Sequence, residues 1–143
     1  MLRFVHVAAA VLLLGNVVVT GIWSIVLYRR RAVVPFREVA RVIMIADVVC
    51  TLGGGAALTI SGILLTLRGG YRVLETPWLL HGIGALALAT LLWLVVLLPD
   101  QLRMERHGAA DHRQLRRWFW RWNIVGWLAT AVLFGGLWSM VAR

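Results

Sequence analysis

Four long apolar stretches alternate with short polar stretches along the chain. The apolar stretches run over about Phe4–Tyr28, Val42–Leu67, Pro77–Leu98 and Phe119–Val141. Each is long enough for a helix, rising about 1.5 Å per residue, to cross a hydrocarbon core about 30 Å thick. Because lipid offers the backbone no hydrogen-bond partners, such segments should be helices. The pattern predicts an all-α protein, a single integral membrane domain over residues 1–143. Its short connections favour a four-transmembrane-helix, up-down-up-down bundle.

The composition excludes most soluble proteins. The 143 residues are 61% hydrophobic and 15% charged, whereas about a quarter of the residues are charged in a soluble domain. A disordered chain is excluded for the same reason, since disorder requires low hydrophobicity. All 15 basic residues are arginines, and the net charge is +9. They lie between the apolar stretches and form no basic folded module, so we expect no nucleic-acid partner.

The arginines are distributed unequally between the two ends of the predicted helices. Eleven lie in the first and third connections and the start of the fourth helix, and four lie on the other side. By the positive-inside rule, both connections should be cytoplasmic and both termini outside. Tryptophans and tyrosines near the helix ends fit interfacial anchors.

Polar residues fall on limited arcs of three helices when they are placed at about 100° per residue. These arcs are expected to face the bundle interior, and helix two, the richest in small residues, should be the most enclosed. The arcs consist of His6, Asn16, Thr20 and Trp23 on helix one; Asp47, Cys50, Thr51, Gly54, Ser61 and Gly62 on helix two; and Asn123, Trp127 and Thr130 on helix four.

Asp47 is the one acid predicted to lie well inside a span, and an ionisable group there suggests function. The expected partners are Asn123 and Trp23 at similar depth, or a snorkelling Arg121 or Arg41. We predict an intramembrane polar cluster, acting as a structural clamp or in proton or ion movement; its members are Asp47, Thr51, Asn16, Thr20 and Asn123. The segment Asp100–Arg117 is expected to be a polar loop or an amphipathic helix along the membrane.

His6 and His81 form a second candidate site. They occur at similar depths in helices one and three, which run in the same direction, so they could ligate haem b or copper across the bundle. The alternative is that no cofactor binds and that His81 is an interfacial residue beside Trp78. Cys50 is a lone cysteine, so it cannot form an internal disulfide or a CxxC metal site. No motif pairs a nucleophile with a base, and no catalytic residue is assigned.

Short motifs also occur in a characteristic order. They are His6, Gly15, Thr20 and Trp23–Tyr28; Ala46–Asp47, Thr51, Ser61–Gly62 and Leu64–Leu65; Thr76–Leu79, Gln101 and Arg103–Met104; and Gly126–Trp127 and Trp138–Ala142. With this order and spacing, nearly the whole chain resembles the bacterial integral membrane proteins of domain of unknown function 2269 (DUF2269). The chain departs from that pattern at Gly53–Gly55, where a proline is expected, and at His81, where the family more often has an apolar or small residue.

Two looser resemblances concern His6. HemJ-type protoporphyrinogen oxidases and copper-resistance D membrane proteins likewise have a histidine in helix one. The functional lysine of the HemJ type has no counterpart here, because the chain lacks lysine.

Together these observations predict a small, non-enzymatic helix-bundle protein of the bacterial inner membrane, with both termini on the periplasmic side. Its expected partners are the lipid bilayer and either further copies of itself or another membrane subunit. The alternative is a haem b protein for electron transfer or porphyrin handling that uses His6 and His81; as an enzyme it would be a haem-linked oxidoreductase.

Overall fold

The computed structural model describes residues 1–107 and 112–142, which form four long helical spans. The first span is α1 (Leu2–Arg29). The second contains α2 (Phe36–Ala46), a π-helical segment (Asp47–Leu52) and α3 (Gly53–Gly69). The third follows a short 3₁₀ turn (Val73–Glu75) and contains α4 (Pro77–Leu92), a second π-helical segment (Trp93–Leu97) and α5 (Leu98–His107). The fourth is α6 (His112–Val141).

The predicted all-α, four-helix bundle is confirmed. No strand occurs in residues 1–107 or 112–142, and all four spans are long and apolar enough to cross a membrane. The packing partners are α1 with α3, α4 with α6, α1 with α6, and α2 with α5. Consecutive spans are therefore neighbours, and the fourth packs beside the first.

Two ends of the bundle can be distinguished by their residues. The arginine-rich end contains the α1–α2 connection and the facing ends of α5 and α6. The terminal end contains both chain termini and the connection between α3 and α4. At that connection Gly70 has φ 65°, a left-handed conformation that glycine adopts without strain, and it ends the second span. Pro77 begins the third span at a position where its missing N–H costs nothing.

Of the two alternatives expected for Asp100–Arg117, the described residues form a helix with one buried face and not a loop. α5 continues the third span to His107, and α6 begins at His112; residues 108–111 lie outside the described part. The polar helix is stabilised because one face of it is buried. Asp100, Gln101 and Met104 on that face are at most 2% exposed.

Aromatic packing closes the arginine-rich end. The rings of Tyr28 and Phe119 stack with centroids 3.8 Å apart. The ring of Phe36 meets both edge-on, at 5.4 and 5.5 Å. Edge-to-face pairs such as the two made by Phe36 stabilise beyond their buried area. The first, second and fourth spans are thereby fixed to one another at this end.

Small residues close the contact between the third and fourth spans near the terminal end. A Cβ atom added to Gly136 would lie 2.7 Å from the Cβ of Ala85, and the side chain of Met140 occupies the place of a Cβ on Gly82. Backbones approach this closely only where side chains are absent, a common basis of helix association in lipid.

Two expectations about helix faces are wrong. The most apolar window of the fourth span is 17% buried and that of the second is 11%, so the second is not the most enclosed. The reason is that α6 packs against both α1 and α4, whereas α3 packs mainly against α1. Trp23 is 62% exposed and faces away from the bundle interior, unlike the other members of its arc.

A buried ion pair joins the third and fourth spans. The side chain of Asp100 is fully buried, and its Oδ2 accepts a hydrogen bond of 2.6 Å from the Nε of Arg121. Its Oδ1 accepts hydrogen bonds from the Nη2 of Arg121 and, at 2.9 Å, from the Nη1 of Arg103. Both arginines are about half exposed, so each guanidinium reaches from the buried carboxylate toward the outside.

Replacing Arg121 should destabilise the bundle more than replacing Arg103. Removing one partner of a buried ion pair costs roughly 3–5 kcal/mol, and the partial exposure of Arg121 reduces the expected loss for Arg121→Met to about 2 kcal/mol. Arg103→Met is the matched control, because it removes the partner on the same helix only. Unfolding in mixed detergent micelles measures both; equal losses would contradict the assignment of Arg121 as the joining residue.

Candidate functional site

A cavity lies between the four spans. Its volume is about 480 Å³, and every span contributes to its wall. Most of the wall is apolar, from residues such as Leu13, Leu86 and Leu133. Its polar lining residues are Thr20, Asp47, Thr51, Thr59, Thr90, Asn123 and Thr130.

Both π-helical segments border this cavity. Asp47, Thr51 and Leu52 line it from the second span, and Trp93, Leu94 and Leu97 line it from the third. A π-helical turn is wider than an α-helical turn, is rare, and is frequent at functional sites. Here one such turn presents Asp47 and Thr51 to the same cavity. Cys50, in the same segment, is half-buried and free but does not line the cavity.

A hydrogen-bonded triad holds the Asp47 carboxyl. The Nδ2 of Asn16 donates to the Oδ1 of Asp47 and to the Oγ1 of Thr51, both at 2.9 Å. The hydroxyl of Thr51 donates to the same Oδ1 at 3.2 Å. Asp47 is 5% exposed. Because Asn16 belongs to α1, the triad links the first span to the second in the middle of the bundle.

Gln101 of the third span lies next to the Asp47 carboxyl. It is 1% exposed, and neither its amide nitrogen nor its amide oxygen has a partner in hydrogen-bond geometry among the residues that the structure describes. A small rotation of this amide would give Asp47 a further donor. The carboxyl therefore lies where three spans meet.

The other two members of the predicted cluster line the cavity without bonding to Asp47. The hydroxyl of Thr20 donates to the carbonyl of Asn16, one turn earlier in its own helix, at 2.7 Å. The Nδ2 of Asn123 donates to the Oγ of Ser24 at 3.0 Å, and its Oδ1 has no partner among the described residues. This second amide–hydroxyl pair links the first span to the fourth.

The partners expected for Asp47 were assigned wrongly. Arg121 pairs with Asp100, Trp23 points away from the bundle, and Asn123 bonds to Ser24. Arg41 is not the partner either, because the hydrogen bonds to the Asp47 carboxyl come from Asn16 and Thr51. These candidates were suggested by depth and reach, whereas the rotation of each helix about its axis determines which side chains meet.

The second and third spans separate toward the terminal end. α2 and α5 pack together at the arginine-rich end, whereas α3 and α4 have no comparable contact. Cavity-lining residues on both sides of this gap are exposed, among them Leu52, Ile60 and Leu94. The cavity is therefore open to the outside of the bundle at this gap.

The ring of His6 forms hydrogen bonds with the second span. Its Nδ1 lies 3.1 Å from the carbonyl oxygen of Leu58 and 3.0 Å from the Oγ of Ser61. The Ser61 hydroxyl donates to the carbonyl of Ala57, so the proton shared with His6 belongs on Nδ1. The ring also packs against Gly62, where an added Cβ would lie 3.1 Å from Cε1. The geometry favours the tautomer that leaves Nε2 as a free lone pair.

The structure does not bring His81 to His6. His81 is exposed on α4, which packs against α6, whereas α1 packs against α3 and α6. Neither histidine lines the cavity. No group of three or more histidine, cysteine, aspartate or glutamate side chains in residues 1–107 and 112–142 could hold a metal ion. Haem b or copper ligation by these two histidines stays a prediction.

Sequence reasoning missed the polar face of α5 and the role of Ser24. Leu97, Asp100, Gln101 and Met104 recur at the spacing of one helical face, and all four are buried. Extending the third helix past Leu98 would have revealed this face. Ser24 carried no comparable signal, because a serine in a span can bond to its own backbone and face in any direction.

A comparison with family models adds the identity of the fold family. The model described as "Predicted integral membrane protein (DUF2269)" matches residues 1–143. The chain belongs to this family of predicted integral membrane proteins. The resemblance drawn from the motifs is thereby confirmed. Comparisons with curated proteins and with solved structures gave no match.

The Asp47 triad predicts different effects for two substitutions. Asp47→Asn keeps an acceptor oxygen and should leave the bundle nearly as stable. Asp47→Leu leaves the Asn16 amide without its carboxyl acceptor and should cost about 1 kcal/mol, in the range found for polar contacts between membrane helices. Melting temperatures in detergent test this; equal values for the two variants would contradict the clamp.

Proposed function

We propose that this family member is a non-enzymatic integral membrane protein that binds an amphipathic, lipid-soluble molecule in the cavity between its spans. The observation that carries the proposal is the cavity itself. Its volume of about 480 Å³ falls within the roughly 300–1,000 Å³ typical of small-molecule sites, and a mostly apolar wall with a few polar groups is also typical.

The wall defines the chemistry of the ligand. A ligand with a long apolar part would pack against the leucines and tryptophans of the wall. A small polar group at one end of the ligand would donate a hydrogen bond to Asp47 or Thr51. The gap between α3 and α4 gives such a molecule a path from the hydrocarbon core. The lining residues include one carboxylate, one asparagine and several threonines, which can hydrogen-bond to the polar end of such a ligand.

We also propose that the protein works as a homo-oligomer or as a subunit of a larger membrane assembly. Gly15, Gly84 and Gly135 support this, because an added Cβ at each would meet nothing within 4 Å. Glycines on the outer surface of a bundle allow close approach by another helix. Glycines inside the bundle, such as Gly82 and Gly136, are already used for internal packing.

Two matched substitutions on α6 test ligand binding. Gly126 lines the cavity, and its added Cβ would lie 3.9 Å from Leu97, so the rest of a leucine would occupy cavity space. Gly126→Leu should lower the amount of co-purifying lipid-soluble ligand by about 5- to 150-fold, since overpacking costs roughly 1–3 kcal/mol. Gly135→Leu is the control, because it makes the same change away from the cavity. Native mass spectrometry from nanodiscs, with extraction of bound molecules, measures both.

The outcomes of that experiment separate the two proposals. No bound molecule in the unaltered protein, or equal retention in Gly126→Leu, would overturn ligand binding. The same spectra report assembly, which Gly135→Leu should weaken. A clean monomer of the unaltered protein, with no partner subunit, would overturn assembly and leave ligand binding standing.

We further propose that the protein lies in the bacterial inner membrane with its arginine-rich end in the cytoplasm and both termini outside. The support is the excess of arginine at that end. Alkaline phosphatase fused after Arg143 should be active, because this enzyme folds only after export. A green fluorescent protein at the same point should stay dark; a fluorescent fusion with inactive phosphatase would reverse the orientation.

A further inference from the structure

A second pocket lies at the arginine-rich end, between the end of α1 and the start of α6. Its volume is about 840 Å³, and it is separate from the cavity between the spans. The lining residues are Tyr28, Arg31, His112, Arg113, Gln114, Arg116 and Arg117. Four of these seven are arginines and none is acidic, so the described wall of the pocket is strongly positive.

Arg31 is held in place on one side of the pocket. Its Nη1 donates to the carbonyl of Tyr28 at 3.1 Å, and its guanidinium carbon lies 4.5 Å from the centre of the Tyr28 ring. That ring is itself buried and stacked on Phe119. A cation–aromatic contact on a buried ring, together with the hydrogen bond to the Tyr28 carbonyl, favours this direction of the guanidinium before any ligand arrives.

The opposite side of the pocket is one face of α6. Arg113, Arg116 and Arg117 follow the i, i+3, i+4 spacing that places side chains together on a helix. Arg116 and Arg117 are exposed and form no ion pair within residues 1–107 and 112–142. Arg116 and Arg117 therefore each present a guanidinium group that an anion can neutralise.

The position of the pocket along the bundle indicates where that anion comes from. Arg116 and Arg117 are followed directly by Trp118, Phe119 and Trp120, and Trp120 is exposed. Tryptophans at a span end lie at the level of the lipid headgroups, and basic residues just outside them meet the phosphates. Guanidinium groups bind phosphate through two parallel N–H donors.

We propose that this pocket binds the phosphate of an anionic phospholipid. The phosphate lies between Arg31 of α1 and the arginine face of α6, and the acyl chains extend along the neighbouring apolar surface. The lipid thereby joins the first and fourth spans beside the Tyr28–Phe119 stack.

The experiment uses the full-length protein in nanodiscs of equal parts phosphatidylglycerol and phosphatidylcholine. Native mass spectrometry after gentle release counts the lipids that stay bound. The unaltered protein should retain phosphatidylglycerol preferentially. In the double variant Arg116→Gln, Arg117→Gln, the preference for phosphatidylglycerol over phosphatidylcholine should fall about tenfold, because each arginine near the headgroups contributes to the attraction. Arg31→Gln, on the other helix, should lower it as well.

The matched control is the double variant Arg3→Gln, Arg68→Gln, which removes the same charge at the terminal end. An equal loss in this control would show attraction by net charge alone and overturn the pocket. Unchanged retention in both pocket variants would overturn it too. If millimolar inorganic phosphate displaces the bound lipid, the pocket is a site for free phosphate, and the proposal of a lipid phosphate is overturned.

Discussion

A fully buried carboxylate, that of Asp100, determines how the bundle is held together. Its partners Arg121 and Arg103 satisfy it from two helices and keep the end of the third span against the fourth. Removing a charge from water is costly unless it is paired and hydrogen-bonded, so this contact forces α5 into one position. The aromatic stack of Tyr28, Phe36 and Phe119 forms at the same end. With this end fixed, the second and third spans can diverge toward the other end without separating the bundle.

The polar groups of the spans are arranged as local pairs and triads. His6 with Ser61, Asn16 with Asp47 and Thr51, and Ser24 with Asn123 each cross between two helices. They occur at successive depths along α1, which contributes one side chain to each. In a membrane, where apolar surfaces gain little from meeting each other, such bonds and small-residue contacts specify which helices are neighbours. The first span therefore serves as the common partner of the second and fourth.

The hydrophobic pattern was sufficient to predict the fold, because a helix is the available solution for a long apolar segment in lipid. Asp47, Asn16 and Thr51 could also be identified as candidates, since polar residues in a span are rare. Their partners could not be identified, because a sequence fixes depth but not the rotation of each helix. The π-helical segments at Asp47–Leu52 and Trp93–Leu97 add to this difficulty. Each π-helical segment has a different angle per residue, so a projection at a constant 100° per residue assigns the residues that follow it to the wrong face of the helix. Asp100 and Gln101 were missed for a different reason: helix ends were placed where hydrophobicity stops, whereas α5 continues on a polar sequence.

The gap between α3 and α4 has a consequence for sidedness. It opens toward the terminal end, while the aromatic stack and the Asp100 ion pair close the other end. A molecule that entered the cavity through this gap would therefore come from the leaflet on the side of the terminal end. A lipid-soluble compound synthesised in the opposite leaflet would first have to cross the bilayer by flip-flop. The rate of that crossing, and not affinity alone, would then set how quickly the cavity fills.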